Sequence, residues 1–512
     1  MRPSTKHQNQ QPKILADFSG GMNTYVSDEM IADNELSWVV NMEVDKMGKL
    51  RTVQGTVDVT EDLSETLSAE IKSAAWDDIN HVLLLFCKDD NAYALVDKQI
   101  QFIGALTGDE EVITVNWEDG ILVASGGHLQ YGKFVTTSGT GINDTVAQYQ
   151  LVMIGASPAD SRGVYVRSGR VFVFDGEDNL LYSAVGDEEN WVQDSNDPSS
   201  AIFTQIGYKV CGRIIGLINL QSYVLVIKDN GKIFRLENEY PDWVIKEVTS
   251  NGMCKGKAAY ASVGNNVFIL CERTLQMINP TDDYGNMPVN YVGNQVTDEI
   301  ISLPPKTRLR FNADLNQLWF VTNSQWVLAF DCKTQTFFQR YFNSDVVDMI
   351  GNFVVKRDKV AELSTIENEL QDNGEPLEYR ARFKTEMGFH DILVKRVDVS
   401  IMTLVDFYND SAAYVKVGRV IVPFPKRITS GVDGVRKRTV GVTNTAIEPG
   451  YTPIDNIHDG MDVFLDTEQA GHGMSLHYIK RQVCREHMME VSLSGSGFPF
   501  ILNFISYDRV EV

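Results

Sequence analysis

Side chains able to do chemistry are thinly spread along this chain. Three acidic doublets, Asp77-Asp78, Asp89-Asp90 and Glu188-Glu189, are candidates for paired general acid and base work. In an acidic chain such doublets in hairpin loops are expected to be solvated turn residues. His472, His477 and His487 lie near one another, but their spacing matches no zinc pattern. Asp282-Asp283-Tyr284-Gly285-Asn286 resembles a calcium loop without the alternating oxygen ligands or the terminal Glu, so a turn is expected. No GxxxxGK[ST], HExxH, GxSxG or strand–GxGxxG–helix motif is present. What remains is basic. Lys426-Arg427 and Arg436-Lys437-Arg438 could touch a phosphate backbone or an acidic partner, with a solvated loop as the plainer reading.

The elements that must position any site are strands. Apolar runs open at Val82, Ile121, Val171, Tyr223, Val267 and Leu318, spaced 39, 50, 52, 44 and 51 residues apart. Most are followed by a turn, such as Asp89-Asp90-Asn91, Asp175-Gly176-Glu177 or Asp229-Asn230-Gly231, and then a second strand. A repeat near the length of a four-stranded blade, recurring at least six times, predicts a β-propeller of six to eight blades. The hairpin at 352–364 is expected either to be a seventh repeat or to close the sixth.

The fold class expected is therefore all-β: a propeller over 70–364 followed by a β-sandwich-like domain over 379–512. Residues 1–13 read as a flexible arm, and 14–69 as an opening segment that joins or closes the propeller. Within it a short helix is expected over Ser27–Leu36, then a hairpin around Lys46-Met47-Gly48. The acidic stretch 365–378, with Asn373-Gly374-Glu375-Pro376, reads as a linker. Residues 426–475 read as a long loop, and the last two strands as a hairpin around Ser494-Gly495-Ser496-Gly497-Phe498-Pro499.

Composition narrows the function classes. With 512 residues, 43% hydrophobic and 22% charged, the chain can bury a large core. No apolar stretch approaches the roughly 20 residues of a membrane span, and no apolar secretory signal follows the N-terminus. The six cysteines form no CxxC pair, so buried free thiols are expected. Net charge is −23, and from Leu377 onward 16 basic residues nearly balance 17 acidic ones. The first 376 residues thus carry a net −22, which excludes phosphate neutralisation as their business. Solubility explains such an excess, as does an acidic surface along which DNA slides without sticking.

The opening segment resembles a known family. DFSGGMNT (17–24), DEMIADNELSWVVNMEV (28–44) and MGKLRTVQGT (47–56) follow the order of the N-terminal signature of tail nozzle proteins of short-tailed bacteriophages, also called tail tubular protein B or packaged-DNA stabilisation protein. LYSAVGDEENW (181–191), KDNGKIFRLEN (228–238) and the strands around LVKRVDVSI (393–401) are similar to later parts of that family. One departure is Val53-Gln54 after Arg51-Thr52, where the family has a compact Arg-x-Gly. The resemblance implies a structural virion protein in the phage tail, not an enzyme, with no cofactor. It implies a homohexameric ring below an adaptor ring, tail fibres or spikes bound outside, and genomic DNA held and then passed through the lumen. The alternatives are a propeller-based carbohydrate-active enzyme, with carboxylates gathered at the funnel mouth, and another propeller interaction scaffold.

Overall fold

The computed structural model describes residues 12–96, 98–138, 145–194, 196–207, 212–221, 223–238, 243–248, 252–280, 287–364, 370–403, 407–408, 413–423, 427–428, 437–440, 461–466, 474–482, 484–497 and 499–511. Its chain divides into two compact units: one of residues 58–324 and 344–362, the other of 1–57, 325–343 and 363–512.

The first unit is a ring of antiparallel sheets. Five are complete and four-stranded, spanning 71–105, 113–153, 163–205, 214–248 and 260–292. A sixth enters as the hairpin Arg308–Asn312 and Gln317–Val321. The seventh is built on residues 346–350, Phe353–Lys356 and Val360–Leu363. The apolar runs seen in the sequence are the second strands of their sheets. Val82–Cys87, Gly120–Ala124, Arg170–Phe174 and Gln317–Val321 are buried throughout, because each has ladder partners on both edges and a neighbouring sheet on both faces. Apolar clusters join successive sheets. Leu84 and Ile121 pack between the first and second, Leu122 and Val173 between the second and third, Phe172 and Val226 between the third and fourth, Ile227 and Ile269 between the fourth and fifth. Val347, Val355 and Val360 pack on Leu83 and Leu85 to complete the circuit.

Closure uses the two ends of the unit. The amides of Val59 and Thr60 donate to the Val360 carbonyl, Leu63 donates to Asp358, and the Val360 amide donates to Thr60 Oγ1 at 3.0 Å. The expected propeller is thus present as seven sheets. Its extent differs from expectation: it begins at Asp58 and cedes the internal stretch 325–343 to the other unit.

That other unit is a two-layer sandwich. One layer runs in the order Ser324–Asp331, the 336–343 part of Thr336–Ile350, Glu35–Val40, Glu378–Phe383, Val491–Ser496, Tyr414–Val417 and Val420–Pro423. The other contains Met42–Val44, Leu50–Thr52, Phe500–Glu511, Glu386–Thr403, Met474–Lys480, Met461–Asp466 and Lys437–Val440. The layers meet through rings such as Tyr379 and Phe500, whose centroids lie 5.3 Å apart, edge to face.

Several local expectations need correction. Residues 27–34 form turns, not a helix: the Glu35 carboxylate accepts the Ala32 amide, and Glu35 and Leu36 pair with Gly21 and Met22 as a strand. The 42–52 hairpin does form, with Gly48 at φ +72°. The stretch 365–378 is no bare linker: Gln371–Asp372 pairs with Glu375–Pro376 around Asn373 and Gly374, both at positive φ. Asp372 is buried there, accepting Thr56 Oγ1 and the Asn343 amide. Residues 365–369 lie outside the described residues. Within 426–475 the described segments are strands. The last two strands are not a hairpin. Val491–Ser496 pairs with Glu378–Phe383 and Tyr414–Val417, while Phe500–Glu511 pairs with Glu386–Thr403 in the opposite layer.

Candidate functional site

Of the basic groups singled out in the sequence, Arg427, Lys437 and Arg438 are among the described residues, and strand pairing places Arg427 in a different sheet from the other two. Arg427 begins a two-residue strand paired with Phe407–Tyr408, and Lys437 and Arg438 sit opposite Leu465 and Phe464 in a different sheet. Lys426 and Arg436 lie outside the described residues, as do His472 and the Asp282–Asn286 run. His487 is exposed on Cys484–Met489.

The acidic doublets are turn hardware. Asp77 is fully buried; it accepts the Ile79 and Asn80 amides and the Tyr149 hydroxyl at 2.6 Å. Burial and that hydrogen bond push the Tyr149 hydroxyl far above its usual range. Asp89 holds Asn91, Asp90 pairs with Lys72, and Glu188 accepts Trp117 Nε1 at 3.2 Å. Among the described residues no group of His, Cys, Asp or Glu is placed to hold a metal. Cys87, Cys254 and Cys271 are free thiols. Burial pushes Cys87 and Cys254 up to about 11.

Two sites escaped the sequence reading. The first lies at one mouth of the ring. The first strands of the second to sixth sheets lie against one another in turn, so they line the axis. Charged residues gather at and just inside the starts of the strands of this unit. Glu110, just before Ile113, takes Lys257 Nζ at 2.6 Å and Arg162 at 3.2 Å. Glu111 takes Arg308 Nε at 3.1 Å. Asp348, fully buried, takes Arg310 Nε at 2.7 Å and the Ala74 amide at 3.2 Å. Burial acts to raise the Asp348 carboxyl, but Arg310 and Arg308 outweigh it and hold the group low. The Lys257 hydrogen bond lowers Glu110. Six of the seven sheets contribute. The fourth joins by shape, since Gly216 leaves room for the Tyr260 ring, which a Cβ would meet at 2.2 Å. Each partner comes from a different sheet, so only the folded ring assembles them.

The second site is the outer face of the sandwich layer that contains Glu35–Val40. Alternation along Glu378–Phe383 buries Tyr379, Ala381 and Phe383 and exposes Glu378, Arg380 and Arg382. Cross-strand register sets Trp38 opposite Arg382, Arg382 opposite Ser492, and Ser492 opposite Lys416. The next rung runs Val40, Arg380, Ser494, Tyr414. Trp326 and Tyr341, with ring centroids 4.8 Å apart, extend the face. The face holds two shallow depressions of about 630 and 690 Å³ that share Trp38, Glu378 and Arg380. Its charges pair among themselves: Arg380 with Glu378, Arg382 with Asp28 and Glu490, Lys416 with Glu490.

No protein-family model matches the chain, and no curated protein matches it. Solved structures with similar architecture include the computationally designed protein Ika8, at 11% identity and TM-score 0.36, covering 61% of this chain and all of that one. The WD40 domain of Neurospora crassa Pan2 aligns at 11% identity and TM-score 0.35, covering 62% of this chain and 96% of its own. The β-propeller domain of Myceliophteria thermophila Cps50 (Swd1) aligns at 8% identity and TM-score 0.41, covering 61% of this chain and all of its own. Likeness at this level leaves the propeller to rest on its own strand pairing. Among the described residues no helix is long and apolar enough to cross a membrane.

Proposed function

We propose that the chain is a tail nozzle protein of a short-tailed bacteriophage, a structural virion component. Six copies form a ring below an adaptor ring, carry fibres or spikes outside, and retain and then pass the genome through the lumen. The observation that carries this reading is the course of residues 17–57. The segment whose wording resembles the family opening builds both layers of the sandwich, then hands the chain to Val59 and Thr60, which close the propeller. The mouth supports it further. Ion pairs cross the ring from Glu110 to Lys257 and from Glu111 to Arg308, so a DNA path belongs between copies, not along one propeller's axis. The net −22 of the first 376 residues suits such a wall, because every attractive contact to phosphate would have to be broken as the duplex slides.

The test is genetic and direct. A nonsense codon placed early in the gene should yield filled heads that lose their DNA, and the protein supplied in trans should restore retention and a six-fold density at the tail tip. Intact, infectious particles made without the protein would refute the assignment.

A further inference from the structure

We propose that the exposed face of the sandwich layer is a binding site for a neutral oligosaccharide. Trp38 is 41% exposed and Trp326 44%, although both belong to strands whose other faces are core. Large aromatic rings left in water on a rigid sheet mark a recognition surface. Their flat faces offer stacking to the C–H face of a pyranose ring. Beside them, Arg380, Glu378 and the serines of Val491–Ser496 offer donors and acceptors at strand spacing, matched to sugar hydroxyls. The shared depressions are within the size range of small-ligand sites.

Charge decides between occupants. Arg380, Arg382 and Lys416 are answered by Glu378, Glu490 and Asp28, and Glu375 adds a further carboxylate. A polyphosphate or nucleic acid needs a net basic surface, which is absent from this face. The middle of the face presents serine hydroxyls and paired charges, with no net basic charge left to neutralise. A neutral, hydroxyl-rich, amphipathic ligand matches both features. The proposal does not depend on the nozzle reading.

Full-length protein should be screened against an array of neutral oligosaccharides, followed by titration of the best binder with tryptophan emission as readout. Saturable binding with a spectral shift is expected. Trp38→Ala and Trp326→Ala should each weaken it at least tenfold, and Arg380→Gln severalfold. Phe203→Ala, an exposed ring on the propeller, should change nothing. All four side chains are exposed, so circular dichroism should show unaltered folds. Absence of any neutral glycan ligand, or binding that survives both tryptophan changes, would overturn the proposal. So would finding that the face instead captures duplex DNA, or drives self-association that Trp38→Ala abolishes.

Discussion

Lys257 donates to Glu110 at 2.6 Å, although the two precede the fifth and second sheets of the ring and share no ladder. The contact spans 147 positions of sequence and fastens sheets that hydrogen bonding alone leaves independent. Both side chains retain some solvent contact, which limits its strength. A double-mutant cycle with Glu110→Gln and Lys257→Met, followed by urea unfolding, should give a coupling of about 0.5–1 kcal/mol. Zero coupling would show that the pair merely coexists.

Asp348 is a different case. It has no exposure and is held by Arg310 and the Ala74 amide. Asp348→Asn leaves Arg310 without its counter-charge and should cost about 3–5 kcal/mol. Replacing both residues by apolar ones of similar size should recover much of that loss. Pulse proteolysis of the two variants distinguishes the outcomes.

Acid should loosen the ring in a defined window. Glu110 and Asp348 are both held below their ordinary values of 4.5 and 3.8. A carboxyl lowered by folding contributes stability above its unfolded value and loses it as pH falls through the folded one. Urea midpoints should therefore change little from these groups above pH 4.5 and fall below it. The Glu110→Gln variant should show a shallower acid limb.

Gly216 faces the Tyr260 ring at a distance that admits no Cβ. Gly216→Ala should destabilise the fourth and fifth sheets by about 1–3 kcal/mol. Adding Tyr260→Leu should relieve the strain, so the double variant should be more stable than Gly216→Ala alone in thermal melts.

Cys87 and Cys254 should stay unreactive in the folded protein. Burial holds both thiols near 11, so little thiolate exists at neutral pH. Mass mapping after iodoacetamide should find their peptides unmodified in buffer and modified in guanidinium. Rapid native labelling of either would contradict the packing.

The ring was legible because its signal is local. A strand buried on both faces must be apolar along its whole length, so six such runs at near-regular spacing announced six sheets before any contact was known. The layer changes were not legible. Asn41 stands at φ +52° between Glu35–Val40 and Met42–Val44, which lie in opposite layers. Its side chain donates to the carbonyls of Tyr341 and Glu378, some 300 positions away. Nothing beside Asn41 in sequence reveals those partners. The same holds for 325–343, where Val40 pairs with Gln339, and for the mouth, where each charge sits in an ordinary loop or strand until the circle brings its partner round. The aromatic face was hidden for a simpler reason: Trp38 and Trp326 read as core until the register shows which side of the strand they occupy.

The seam between Thr60 and Val360 also has a temporal side. During translation the early segment must wait, unpaired, while about 300 further residues are made, roughly 15–60 s at typical ribosome speeds. Over that interval the nascent propeller is a spiral staircase with a sticky first step. Prematurely ended products would keep that step bare, which makes them prime substrates for proteases and for mutual entanglement.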